Sequence, residues 1–301
     1  MKHLITFLIF ISLSLNLTAL EKLPKNITLD EVTYVVKLNN GDLFTGEVTE
    51  FIFDDQNNEG IKLSTDIGIA PIYAQQIKFI IPFDEYYKHD NRVFLLPSAY
   101  PISDNHYLGA YELLFFNLGV GITDYISITV GKTLVPFLYE GQQLSNLNIK
   151  ATLINFDWNN EPGGMAVALA SNMAFLNDNN TFINVLGIVS FKMKKSIFTT
   201  SLIYKAGNND FNEISVRDEI FNVNYENGSM GIGLGIDNRF TNWLDLHFIG
   251  EVWNGNITKP SNTGVLLGLR YTNEVFSTDF GISFFTTGVF APFASFVWTP
   301  F

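Results

Sequence analysis

Within Trp243–Trp253, three residues capable of chemistry share one parity: Asp245, His247 and Glu251, with Leu244, Leu246, Phe248 and Val252 on the other. In an extended chain that parity places the imidazole and both carboxylates on one face. Such a set could ligate a metal or relay a proton. It could equally be polar filling, paired with cations from other segments: Arg270, Lys132 or Lys150. Asp237, which follows Gly231, Gly233 and Gly235, and Asp279, which lies between Ser277 and Gly281, carry the same choice, as does Glu112. Ion pairing inside a shared interior is the expected reading, so neither a metal nor a cofactor is expected.

A nucleophilic site needs a hydroxyl within reach of a base. Three histidines remain beyond the first twenty residues, His89, His106 and His247, and Ile249 stands where a His-x-Ser face would want its serine. Ser201, Ser277 or Ser283 could meet His247 only through folding, so no enzyme is expected. Gly231, Gly233 and Gly235 lack the strand-to-helix context of a phosphate loop and read as close packing.

Composition narrows the field further. The absence of cysteine excludes disulfide scaffolds, zinc–thiolate sites, cysteine nucleophiles and an acylated cysteine anchor. A net charge of −12 with four arginines argues against nucleic acid as a partner. Apolar residues reach 47% while charged residues stay at 16%, below the roughly 25% usual for soluble proteins. Yet after the first twenty residues no apolar run is long enough for a transmembrane helix.

The elements that must position these side chains are short alternating runs. In Asp124–Val135, Ile126, Ile128, Val130 and Leu134 oppose Ser127, Thr129, Gly131 and Thr133. In Leu147–Asp157, Leu147, Ile149 and Leu153 oppose Asn148, Lys150 and Thr152. Met230, Ile232, Leu234 and Ile236 oppose Gly231, Gly233, Gly235 and Asp237, and Val265, Leu267, Leu269 and Tyr271 oppose Gly268 and Arg270. Phe276, Thr278, Phe280, Ile282 and Phe284 oppose Ser277, Asp279, Gly281 and Ser283. Period two means a sheet whose faces meet different surroundings.

A soluble β-sandwich also alternates. Two features favour a membrane-spanning barrel instead. The runs approach the about nine to eleven residues needed to cross a bilayer at barrel tilt, and the polar face is rich in Gly, Ala and Ser, as side chains converging in a narrow barrel require. Tyr125, Trp158, Trp243, Trp253 and Tyr271 stand near run ends, where they could form interfacial girdles. Short links at 121–124, 193–196, 239–242 and 273–274 contrast with longer polar links at 136–146, 207–228 and 254–262. Eleven strands are counted from Tyr107 to Phe301, and Arg92–Ser98 supplies a first strand to reach an even number.

Residues 1–19 read as an export signal: Lys2, the apolar run Leu4–Leu17, and Ala19 before cleavage, with a retained anchor helix as the alternative. Residues 20–30 form a linker. Residues 31–83 look like a short β-rich module, in which Val32–Leu38, the turn Asn39-Asn40-Gly41-Asp42 and Leu43-Phe44-Thr45-Gly46-Glu47-Val48 resemble SH3-like and Sm-like small barrels. That resemblance implies a compact small barrel, with a looser meander as the alternative, and Gly46 as the place where a strand bends.

The last strand-like run, Phe293 to Phe301, ends in phenylalanine and so resembles bacterial outer-membrane β-barrel proteins, whose assembly signal closes on a terminal Phe. Thr299, Ser295 and Pro300 depart from that pattern. The resemblance implies that Phe301 engages the barrel-assembly machinery, that residues 92–301 lie in the lipid bilayer of the outer membrane, and that residues 31–83 face the periplasm and a partner there. Some members are lipid hydrolases, the one enzymatic alternative. The reading is therefore an all-β chain, an antiparallel transmembrane barrel of twelve strands (ten as the alternative) behind a small SH3-like module. Its function is a structural or small-solute channel role, or a periplasmic binding module anchored by the barrel. Lys132, Lys150, Asp237, Asp245, His247, Glu251, Arg270 and Asp279 are its lumen candidates, and the acid excess of the chain hints at cations.

Overall fold

The computed structural model describes residues 23–83, 86, 90–102, 106–111, 115–136, 139, 142–158, 163–176, 180–206, 211–216, 219–240, 243–272, 276–286 and 290–298. The expected leader 1–19, His89, Glu112, the 273–274 link and Phe301 lie outside these residues, as do the side chains of His106, Trp243 and Asp245. Two compact units result: Met1–Tyr86 with Asp157–Pro162, and Tyr87–Phe156 with Gly163–Phe301.

In the first unit, Gly41 takes the positive φ of a tight turn and sends β1 (Thr33–Leu38) back as β2 (Leu43–Phe53). β3 (Glu59–Thr65), β4 (Gly68–Tyr73), a 3-10 turn at Ala74–Gln76 and β5 (Ile77–Pro82) follow. The sheet order is β4-β3-β2-β1-β5, antiparallel throughout. Tyr34, Val36, Val48, Ile61, Leu63, Ile72, Ile77 and Ile80 form its core. A Cβ at Gly46 would lie 2.1 Å from the Ser64 carbonyl oxygen, so only glycine lets β2 and β3 approach there, just before the register shift at Val48/Glu50.

The second unit carries β6 (His106–Tyr111), β7 (Phe115–Thr123), β8 (Ile126–Thr133), β9 (Ser145–Asp157), β10 (Gly164–Leu176), β11 (Asn180–Lys192) and β12 (Ser196–Ala206). After a separate hairpin, β13 (Phe211–Val216) and β14 (Glu219–Tyr225), come β15 (Met230–Phe240), β16 (Trp243–Asn254), β17 (Thr263–Thr272), β18 (Phe276–Phe285) and β19 (Phe290–Trp298). Leaving out that hairpin, the strands form a closed barrel in chain order, with β19 paired to β6.

β15 shows what each face meets. Met230, Ile232, Leu234, Ile236 and Phe240 are exposed, while Gly231, Gly233, Gly235, Asp237 and Arg239 are buried. β19 repeats this, with Phe290, Phe296 and Trp298 outside and Phe293, Ser295 and Val297 inside. Large apolar side chains outside and charged ones inside invert the soluble arrangement, which rules against a sandwich packed on its apolar faces.

Three expectations are corrected. Arg92–Ser98 is no barrel strand: it makes an isolated bridge, Arg92 to Pro97, and the twelve barrel strands are reached without it. Val93, Phe94 and Leu96 are buried while Leu95 is exposed, so the run does not alternate between two faces as a barrel strand does, and Pro97 has no N–H for a ladder. The 207–228 link is more than a polar connection, since it contains the hairpin β13–β14; its Ile214, Val216, Ile220, Phe221 and Val223 favour strand. Trp253 belongs to no outer girdle, because it shares the inward parity of His247 and Glu251, and a Cβ at Gly264 would meet its ring at 2.6 Å.

Candidate functional site in the barrel interior

Register turns separate inward residues into a belt. Arg239 on β15 faces His247 on β16, His247 faces Arg270 on β17, Arg270 faces Asp279 on β18, and Asp279 faces Ser295 on β19. Arg270 donates from Nε to Asp279 Oδ1 at 2.6 Å and from Nη2 to Asp279 Oδ2 at 2.9 Å, a two-pronged pair. Its Nη1 donates to Asp237 Oδ2 at 2.7 Å. Ser295 Oγ donates to Asp279 Oδ2 at 2.8 Å.

His247 Nδ1 lies 2.7 Å from Asp237 Oδ1, and its Nε2 accepts from Arg239 Nε at 3.4 Å. That arrangement is satisfied by Nδ1–H donating to the carboxylate. With Nε2 turned to a guanidinium, the ring is a bridge between charged groups, not a base aimed at a serine. Burying ions is costly unless each is paired and hydrogen-bonded. Here Arg270 and Asp279 meet that condition at 1% and 0% exposure.

The interior is not hollow at this level. Residues 90–102 run inside it and fold back on themselves, with Val93 N donating to Leu96 O at 2.9 Å and Ser98 N to Asn91 O at 3.0 Å. Glu251 Oε1 accepts from Phe94 N at 2.5 Å and Leu96 N at 3.0 Å, and Arg270 Nη2 donates to the Val93 carbonyl. Lys150 Nζ donates to the carbonyls of Ser98 at 2.8 Å and Tyr100 at 2.5 Å. Thr152 Oγ1 donates to Ala99 O at 2.8 Å, Ser190 Oγ accepts from Ala99 N at 2.8 Å, and Ser127 Oγ accepts from Ile102 N at 2.9 Å. Lys192 pairs with Asp90 at 2.7 Å.

Apolar fit accompanies these bonds. The Phe94 ring lies 4.4 Å from that of Phe293 and packs with Ile249 and Leu266. Ala99 and Tyr100 pack on Ala166, Ala168, Ala170, Leu186 and Ile188. A Cβ at Gly233 would meet Leu96 at 2.7 Å, and one at Gly235 would meet Val93 at 2.9 Å. Gly233 and Gly235 of β15 therefore form the groove in which the segment lies.

Of the sequence candidates, Asp237, His247, Arg270 and Asp279 come together in the belt. Lys150 and Glu251 are buried inside but bind the main chain of residues 90–102, where cross-lumen ion pairs were expected. The Asp245 side chain is outside the described residues. Lys132 is corrected: it shares the parity of Val130 and Leu134, is exposed, and points away from the interior near the end of β8. Among the described residues of this unit the buried charges are Arg92, Lys150, Lys205, Arg239 and Arg270 against Asp237, Glu251 and Asp279.

Arg239 was missed although it shares the parity of Asp237 two residues before it. The inner segment was misread although Val93-Phe94-Leu95-Leu96 does not alternate. Among the described residues no group of three His, Asp or Glu side chains is placed to hold a metal ion.

No protein-family profile matches this chain. No curated protein matches it either. Several solved structures of membrane proteins are similar to it. One, a membrane protein crystallised in meso, aligns at 11% identity and a TM-score of 0.42 over 65% of this chain and 83% of its own. The NanC porin aligns at 9% identity and 0.38 over 65% and 97%. The outer membrane protein OprD of Pseudomonas aeruginosa aligns at 10% identity and 0.34 over 94% and 96%.

Proposed function

We propose that this protein is an outer-membrane β-barrel that is closed by its own residues 90–102 and passes small solutes when that segment leaves the interior. The observation that carries this is the enclosed segment itself, held largely by main-chain hydrogen bonds from Glu251, Arg270, Lys150, Thr152, Ser190 and Ser127. An inert anchor would be cheaper to fill with apolar side chains, because buried charges contribute little net stability. Lys150 and Glu251 suit an interior that is hydrated in one state and covered in another. The exposed outward stripe, such as Leu234, Ile236, Phe280, Ile282 and Phe296, supports placement in a bilayer, since soluble proteins rarely expose contiguous apolar surface on this scale.

The test is single-channel recording in planar bilayers. The wild-type chain should show rare, brief openings. Replacing residues 92–101 by a Gly/Ser linker of equal length should give a steady conductance. An equally silent, correctly folded replacement would sink the channel reading.

A second reading has its own support. The first unit has a separate core and exposes Ile67, at 91%, with Ile69 and Phe53. The strand order β4-β3-β2-β1-β5, with a 3-10 turn before β5, supports an SH3-like module over residues 31–83. On this reading it engages a periplasmic partner while the barrel anchors it. Export through residues 1–19 and assembly through Phe301 complete the proposal.

A further inference from the structure

Glu251, Lys150, Arg270, Thr152, Ser190 and Ser127 of the barrel wall all make their hydrogen bonds to residues 91–102 through the segment's main chain. Glu251 takes two amide N–H groups, Lys150 takes carbonyls, and Ser190 takes the Ala99 amide. Main-chain contacts of this kind do not depend on the occupant's sequence. Side-chain selectivity comes from the apolar fit: Val93 lies over Gly235, Leu96 over Gly233, Phe94 against Phe293, and Tyr100 against the alanines of β10. Charge-assisted bonds to the main chain combined with side-chain grooves make up a peptide-binding site.

The present occupant leaves that site incompletely satisfied. Among the described residues, Glu251 Oε2 and Ser201 Oγ are buried and meet no hydrogen-bond partner. Both adjoin Leu96. Ser201 stands opposite Gly233 in register, and the point where a Gly233 Cβ would sit is 2.5 Å from Ser201 Oγ and 2.7 Å from a Leu96 methyl. Glu251 already holds the Leu96 amide through its other oxygen. A buried carboxylate oxygen and a buried hydroxyl beside an aliphatic side chain are a mismatch, since buried polar groups normally find a partner.

We propose that the barrel interior is a binding site for a short peptide turn, and that residues 91–102 are its placeholder. The cognate peptide carries a hydrogen-bonding side chain, such as glutamine, where this chain has Leu96. That side chain donates to Glu251 Oε2 and bonds with Ser201 Oγ, and the peptide displaces the segment because it makes contacts the segment lacks. This deepens the channel reading by naming a ligand class, and rests on it only in requiring that the segment can leave.

The experiment uses the full chain in detergent, with residues 92–101 replaced by a Gly/Ser linker, and fluorescent synthetic peptides read by anisotropy. The peptides are the Arg92–Ile102 sequence, the same with Leu96→Gln, and the same N-methylated at Phe94 and Leu96. The native sequence should bind saturably, and Leu96→Gln should bind about tenfold more tightly. N-methylation, which removes both N–H donors, should weaken binding at least about tenfold. Weaker binding by the Leu96→Gln peptide, or no binding by any peptide to a variant that still shifts mobility on heating, overturns the proposal. Conductance of the same variant without peptide reports on the channel reading separately.

If the linker variant does not assemble, Leu96→Gln in the intact chain decides. A higher temperature for the heat-induced mobility shift supports the site. A lower one overturns it, and Ser201→Ala should abolish the gain.

Discussion

Arg270 and Asp279 stand directly opposite each other on neighbouring strands and share two hydrogen bonds, of 2.6 and 2.9 Å, with both side chains shut away from solvent. The same guanidinium holds Asp237 and the carbonyl of Val93, so one side chain ties the barrel wall to the segment inside it.

Arg270→Met should therefore be among the most damaging single changes. It strands two buried carboxylates, at a cost of about 3–5 kcal/mol. The pair Arg270→Met with Asp279→Leu should recover part of that loss. Heat-shift midpoints of the single and double variants form the cycle, and full additivity would show that the two residues do not act as a pair.

Two glycines should fail in different ways. Gly281→Ala places a Cβ 2.2 Å from the Leu267 carbonyl oxygen, which is strand backbone, so the barrel itself should assemble poorly. Gly235→Val meets Val93 of the inner segment first, its Cβ at 2.9 Å, so the barrel should assemble and conduct with the segment expelled. Outer-membrane yield and bilayer conductance separate the two. A silent, well-assembled Gly235→Val barrel would count against the groove as the segment's seat.

Leu234→Arg tests the surroundings of the outer face. In a bilayer an arginine on the lipid side costs about 2–4 kcal/mol near the midplane. At a water-facing surface the same change stays within about 0.5 kcal/mol. Urea unfolding in lipid vesicles measures the difference, and a near-zero cost would argue that this face does not meet lipid.

In the first unit, Asp54 accepts hydrogen bonds from the side chain of Asn58 at 2.7 Å and from the backbone N–H groups of Asn58 and Gln56, each at 2.8 Å. These bonds, led by the Asn58 side chain, hold its carboxyl below the ordinary value of 3.8. A depressed carboxyl contributes its stability above the unfolded-state value and loses it as pH falls through the folded one. The loop 54–58 should thus loosen only below the usual aspartate range, and Asn58→Ala should move that transition upward. The carboxyl carbon shift of Asp54, followed by NMR against pH, reads it directly. An unchanged titration in Asn58→Ala would remove Asn58 as the cause.

Parity was legible in the residues. The alternation of β15 to β18 assigns Asp237, Arg270 and Asp279 to one face and Leu234, Leu267 and Phe280 to the other, because successive side chains of a strand point to opposite sides. The all-β class followed from the same period. Lys132 shows the limit of reading charge before parity: a cation was expected inside, although its position shares the parity of Val130 and Leu134.

Local alternation is enough to assign each residue to a face and to show that the two faces meet different surroundings. Which inward residues meet depends on strand register, a property of the assembled barrel. A slip of two residues between β17 and β18 would keep every side chain on its face and still separate Arg270 from Asp279, since period two leaves such registers equivalent locally. The placement of residues 90–102 was likewise beyond local pattern. Their amides and carbonyls are satisfied by Glu251, Lys150, Ser127 and Ser190, side chains up to 157 residues away in the chain, and such partners exist only once the barrel has closed around them.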